Sequence, residues 1–187
     1  MNVEIHRAVR ILKRGGIILY PTDTVWGIGC DATNADAVEK IYRLKGRSDS
    51  KSMIILVDDV KRIAMYVERI PEVARGFIDA VGMPLTIIYQ NAMNLPENLI
   101  AEDGSIAIRV ANHEFCRQVI SLLDCPIVST SANLSGEKTP VEFDDISPEI
   151  VFNVDLVISE MFEKNATKTP SAIIKIGLKD KVELIRK

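Results

Sequence analysis

Near its start the chain runs from a helical stripe straight into a strand, and that succession limits the architectures open to it. Ile5, Ala8, Val9 and Leu12 recur at i, i+3, i+4 and i+7, the spacing of one helix face. Gly15-Gly16 stops the helix. Ile17-Ile18-Leu19-Tyr20 follows as a short buried strand ended by Pro21. The pattern then repeats. Asn34 is placed to cap a helix with the stripe Ala37, Val38, Ile41 and Leu44, and Gly46 stands where a helix C-terminal glycine belongs. Residues 53–57 read as the next strand.

Further along, residues 60–81 read as two short helices broken near Pro71. Residues 85–89 and 106–110 are strand-like, with a polar loop between them. A helix over 112–123 carries Phe115, Cys116, Val119, Ile120 and Leu123. Residues 126–129, 156–158, 172–176 and 182–186 complete the predicted strands. Early alternation of strands and helices with a closing hairpin predicts one α/β domain over residues 1–187, built on a mixed sheet. The polar stretch 135–148 reads as a long loop of the kind that often carries function.

Composition excludes several classes. Hydrophobic residues make up 47% of the 187, ample for a core. No run approaches the roughly 18 apolar residues that would suggest a membrane span. The first residues lack a basic region followed by an apolar stretch, so no signal peptide is expected and the cytoplasm is the expected location. A net charge of −3 argues against binding by nonspecific phosphate contacts alone. Cys30, Cys116 and Cys125 lack metal-ligand spacing and read as reduced thiols. With two histidines, His6 and His113, no metal site is expected.

Four segments could carry chemistry. Residues 20–31 follow a strand and gather hydroxyls, Asp23 and two glycines. They suit a small polar ligand, and equally an ordinary turn. In Lys45-Gly46-Arg47, a break at Gly46 lets both cations project from an extended loop toward phosphate groups; cations there also complement a helix dipole. Residues 129–136 follow an apolar strand, and an extended backbone would turn Ser131 and Asn133 the same way. A Ser/Asn/Gly loop is the plainer reading. Arg109 lies inside an apolar strand, able to clamp a carboxylate or to face outward. The P-loop, dinucleotide and nucleophile-elbow motifs are absent from the sequence.

Taken in order, Pro21-Thr22-Asp23-Thr24-Val25-Trp26-Gly27-Ile28-Gly29, Lys45-Gly46-Arg47, Ile106-Ala107-Ile108-Arg109-Val110 and Ser131-Ala132-Asn133-Leu134-Ser135-Gly136 resemble the YrdC family of threonylcarbamoyl-AMP synthases, in its short, single-domain form. The resemblance runs from about residue 8 to the C-terminus. It implies a twisted mixed α/β sheet with flanking helices around an open, positively lined cavity. It implies formation of threonylcarbamoyl-AMP and pyrophosphate from L-threonine, bicarbonate and ATP, with Mg²⁺ as counterion. The product would pass to a threonylcarbamoyl transferase complex that modifies adenosine 37 of tRNA.

By the same resemblance Lys45, Arg47, Ser131 and Asn133 form the active-site tetrad. Thr24, Arg109, Ser131 and Ser171 face L-threonine, with Arg109 on its carboxylate. Arg47, Lys51, Ser105, Asn133 and Arg186 contact ATP. The sequence departs from the usual pattern at Met83, at Thr130 before S-A-N, and at Val141, where a threonine often helps hold ATP. The alternative within the fold is a YciO-like RNA-binding module without synthase activity. Affinity for tRNA or double-stranded RNA is attributed to the fold, and no membrane partner is expected.

Overall fold

The computed structural model describes residues 3–46, 53–80, 82–177 and 180–187. Helix α1 (Val3–Lys13) buries the expected stripe of Ile5, Ala8, Val9 and Leu12. Strand β1 (Ile18–Tyr20) is buried on both faces. Helix α2 (Ala35–Lys45) is capped as expected: the Asn34 side chain accepts from the Ala37 amide, and Gly46 closes it in the left-handed region at φ 58°. A side chain at Gly46 would strain that conformation, which explains why the helix ends there.

Next come β3 (Ile54–Val57), a 3-10 turn at Val60–Met65, α3 (Glu72–Ala80) and β4 (Leu85–Tyr89). Strand β5 (Ile106–Val110), helix α4 (Glu114–Leu123) and strand β6 (Ile127–Ser131) form the middle of the chain. Helix α5 (Pro148–Phe152), the short β7 (Leu156–Val157), β8 (Ala172–Ile176) and β9 (Val182–Arg186) complete it. No helix among the described residues is long and apolar enough to cross a membrane.

The strands form one sheet in the order β7-β1-β2-β6-β3-β5-β4-β8-β9, where β2 is Gly27–Gly29. Three neighbouring pairs, β1/β7, β3/β5 and β4/β8, are parallel and the rest antiparallel, so the sheet is mixed. Alternation along the strands divides the core in two. Ile18, Tyr20, Leu56 and Ile127 pack with α1 and α4 on one face. Leu19, Ile28, Ile55, Val57 and Val128 pack with α2 on the other. This arrangement explains why β1 and β3 read as continuous apolar runs rather than alternating ones.

Three expectations change. Residues 27–29 are a strand, although two of the three are glycines, which hide any side-chain period. A Cβ on Gly29 would sit 2.4 Å from the Val128 carbonyl oxygen and 2.7 Å from Tyr20 Cε1, so only glycine fits between β1 and β6. Gly29→Ala is expected to cost about 1–3 kcal/mol by overpacking, measured as a lower urea midpoint at an unchanged slope. The first of the two short helices after residue 60 is 3-10 rather than α. The long loop ends about where expected, at Ser147, which caps α5 with Pro148 in its first turn, but it contains a 3-10 turn at Phe143–Asp145.

Candidate active site

The turn after β1 is organised by one hydroxyl. Thr22 Oγ1 accepts from the Thr24 amide at 3.0 Å and donates to the Val25 carbonyl at 2.8 Å. Its only proton is therefore committed, so Thr24 donates in the 2.9 Å contact between the two hydroxyls. Thr24 Oγ1 in turn accepts from Arg109 Nη1 at 2.9 Å. The direction of every proton in this turn follows from the carbonyl that ends the chain of bonds.

Arg109 stands on β5 between Leu56 of β3 and Thr86 of β4. It points inward and is 4% exposed. Its Nη2 lies 3.4 Å from Asp23 Oδ1, and its Nε is buried without a hydrogen-bond partner among the described residues. Thr86 also shares a 2.7 Å hydrogen bond with the Ser171 hydroxyl. The Ser171 carbonyl accepts from both Nε and Nη2 of Arg186, at 3.0 and 2.8 Å.

Arg186 reaches this point through a bulge. Ile173 faces Arg186 and Ile174 faces Leu184, so Ile185 is the extra residue of β9. In a regular strand Arg186 would share the face of Leu184, which is that of the core residue Ile174. The bulge turns it to the side of Ile173 instead. Burial, and then the positive charge of Arg109, hold the Arg186 pKa below the usual arginine value.

These residues surround a cavity of about 210 Å³, lined by Thr24, Arg109, Ser131, Ser171 and Arg186 among others. Drug-sized ligand pockets begin near 300 Å³. The cavity therefore suits a ligand of amino-acid size. Thr139 also lines it, whereas Val141, two residues on, is exposed. A second hollow of about 380 Å³ lies along Ile87, Ile108 and Val110. Although larger, it carries Asp23, Asp58 and Asp59 against Arg117, a poor match for a polyanion.

Lys45 is the last residue of α2 and is 3% exposed. The sequence reading has it projecting from an extended loop. Because Gly46 takes the cap, Lys45 stays helical and its ammonium turns inward. Nζ donates to the carbonyls of Ser131 and Asn133 at 2.5 and 2.6 Å, and the Lys45 carbonyl accepts from the Ser135 amide at 2.9 Å. The helix end and the 131–135 loop are thus fastened together.

Asn133 departs from the extended geometry expected of it. Its amide bonds back to the Ser131 carbonyl at 2.9 Å, so the chain turns between them. Its Nδ2 donates to the carbonyls of Leu134 and Glu137. Its Oδ1 is buried with no hydrogen-bond partner among the described residues.

The structure thus brings Thr24, Arg109, Ser131, Ser171 and Arg186 to one cavity, with Lys45 and Asn133 fastened to Ser131. Ser105 is placed apart from that lining. Its hydroxyl donates to Asp103 Oδ1 at 2.5 Å. Asp103 also pairs with Lys175, and those two contacts, Lys175 foremost, hold its carboxyl at about 2. Arg47 and Lys51 lie outside the described residues. Among the described residues no group of three or more His, Cys, Asp or Glu could hold a metal ion.

A strap over 163–170 also holds the turn after β1. The amides of Thr167 and Lys168 bond to the carbonyls of Asp23 and Thr24 at 3.0 and 2.8 Å. Glu163 accepts from the Trp26 indole at 3.0 Å. The strap has no hydrophobic period, so no sequence signal marks it.

Comparison with known proteins gives this geometry its relatives. A threonylcarbamoyl-AMP synthase of Pseudoalteromonas translucida is 32% identical over 181 residues, 95% of each chain. One from Pseudomonas putida is 32% identical over 174 residues, 91% of each. P. abyssi Sua5, solved in complex with L-threonine, superposes with a TM-score of 0.86 at 24% identity over 97% of this chain. This chain spans about half of that one, 53% of its length. E. coli YciO superposes with a TM-score of 0.81 at 25% identity, covering 98% of this chain and 88% of its own. The family profile described as "telomere recombination" matches residues 10–187, and on that span this chain belongs to the Sua5/YciO/YrdC family.

Proposed function

We propose that this chain is an L-threonylcarbamoyladenylate synthase, a nucleotidyltransferase that makes threonylcarbamoyl-AMP and pyrophosphate from L-threonine, bicarbonate and ATP. The observation that carries the reading is the meeting of two guanidinium groups, Arg109 and Arg186, with the hydroxyls of Thr24, Ser131 and Ser171 in one cavity. Relatives bearing the synthase name at 32% identity over most of the chain favour it over a YciO-like RNA-binding module. Residues 1–187 act as a single domain in this reading.

Arg109 takes the threonine carboxylate, for which its fork is suited. Thr24, whose proton is committed to Thr22, can only accept, so it receives a donor of the ligand. Ser131 and Ser171 complete that side. Threonine and bicarbonate give N-carboxythreonine with loss of water. Its new carboxylate oxygen bonds to the α-phosphorus of ATP as the bond to the pyrophosphate oxygen breaks. Such transfers depend mainly on positioning and on stabilising phosphate charge. Arg186 and the tetrad of Lys45, Arg47, Ser131 and Asn133 supply these, and the family resemblance would add Lys51 and Ser105 on the nucleotide. Mg²⁺ would come with ATP, keeping most of its waters. The product then requires a transferase that moves the threonylcarbamoyl group to tRNA.

Incubation with ATP, L-threonine, bicarbonate and Mg²⁺, followed by mass spectrometry, should give a threonine-dependent AMP adduct. Salt-sensitive RNA binding with no adduct would favour the rival instead. Arg186→Ala removes two donors from the Ser171 carbonyl and is expected to raise KM for ATP roughly tenfold, the loss of one charged hydrogen bond. An unchanged KM in a steady-state titration would remove Arg186 from the nucleotide site.

A further inference from the structure

Asp23 is the only buried carboxylate among the described residues, 5% exposed. Neither of its oxygens has a hydrogen-bond partner there. Its one close opposite charge is Arg109, at 3.4 Å, beyond the range of a good hydrogen bond. A buried guanidinium and a buried carboxylate each carry a desolvation cost that only a partner offsets. The other polar neighbours supply no such charge. His113 donates from Nε2 to the Phe162 carbonyl, and burial, above all, pushes its pKa down. Burial likewise pushes the Cys116 thiol up. Arg186 adds a second positive charge to the same cavity.

Asp23 does not line the cavity. It lines the second hollow, behind Arg109. The long contact leaves Arg109 Nε and part of its Nη groups uncommitted. We infer that Asp23 is a positioning residue: a counter-ion that holds Arg109 in register with Thr24, without saturating the donors a ligand carboxylate needs. This rests on reading Arg109 as the partner of the threonine carboxylate.

Asp23→Asn keeps the shape and removes the charge. By calorimetry it is expected to weaken L-threonine binding at least tenfold while ATP affinity stays within threefold of the parent. In the ligand-free protein, the Arg109 Nε–H resonance, assigned by its loss in Arg109→Lys, should move or broaden. Asp23→Glu, which keeps the charge, should restore part of the threonine affinity and covers the case in which the asparagine variant does not fold. Threonine affinity within threefold of the parent, or tighter, overturns the inference. So does equal weakening of both ligands with the resonance unmoved. Should the parent protein bind no threonine, the synthase reading fails, while the ligand-free resonance still decides the role of Asp23.

Discussion

Lys45→Met is expected to lower pyrophosphate release by roughly a hundredfold, the scale on which a small misplacement of positioned groups slows a reaction. The reason lies in what its ammonium touches. Two of its protons go to the carbonyls of Ser131 and Asn133, and the Lys45 carbonyl holds the Ser135 amide. Methionine keeps the stem of the side chain but leaves two carbonyls short of a donor. A hydrogen bond to a charged group contributes about 1.5–3 kcal/mol. The fold should therefore weaken by a few kcal/mol and still survive, since domains of ordinary stability hold about 5–15 kcal/mol. The check is pyrophosphate release at a temperature where circular dichroism shows the variant folded. Near-normal turnover would mean that the fastening of helix α2 to this loop has no part in catalysis.

Arg109→Lys should be as damaging, and selectively so. Lysine keeps a positive charge opposite Asp23, so the buried carboxylate is not abandoned, but the planar fork is lost. With it goes the bond to Thr24 Oγ1 and any bidentate grip on a carboxylate. The expected result is a fall of about a hundredfold in kcat/KM for L-threonine, near 2.7 kcal/mol of transition-state binding. KM for ATP should change far less. Steady-state titration of each substrate separates the two; equal losses for both would argue that Arg109 supports the cavity wall rather than the amino acid.

Much of this arrangement could be read from the chain. Asn34, the stripe of α2 and Gly46 define a helix whose caps the structure reproduces, because capping depends on local chemistry. The strands at 85–89, 106–110, 172–176 and 182–186 follow from apolar, β-branched runs. What could not be read depends on contacts distant in sequence. Strand β2 exists because Gly29 slots between Tyr20 and Val128, and glycine has no period to detect. The face of Arg186 is set by a one-residue bulge at Ile185, which strict alternation along β9 would have reversed.

The same limit applies to the site. Of the four segments that could carry chemistry, Thr24 in the turn after β1, Arg109 on β5 and Ser131 on β6 meet at one cavity. Reading Gly46 as the cap makes Lys45 the last residue of the helix, but the direction of its ammonium depends on the carbonyls of Ser131 and Asn133, 86 and 88 residues along the chain. In the sequence Asp23 is one polar residue of a turn. Its isolation from hydrogen bonds becomes visible only when Arg109 is folded against it.

The most direct test is a crystal structure of the protein with ATP and L-threonine. The threonine carboxylate should lie within hydrogen-bonding distance of Arg109 and one ligand donor against Thr24, with the α-phosphate on the Ser131 side of the same cavity. Threonine seated instead in the apolar, acidic hollow beside Ile108, or the two ligands in separate depressions, would contradict a shared active site.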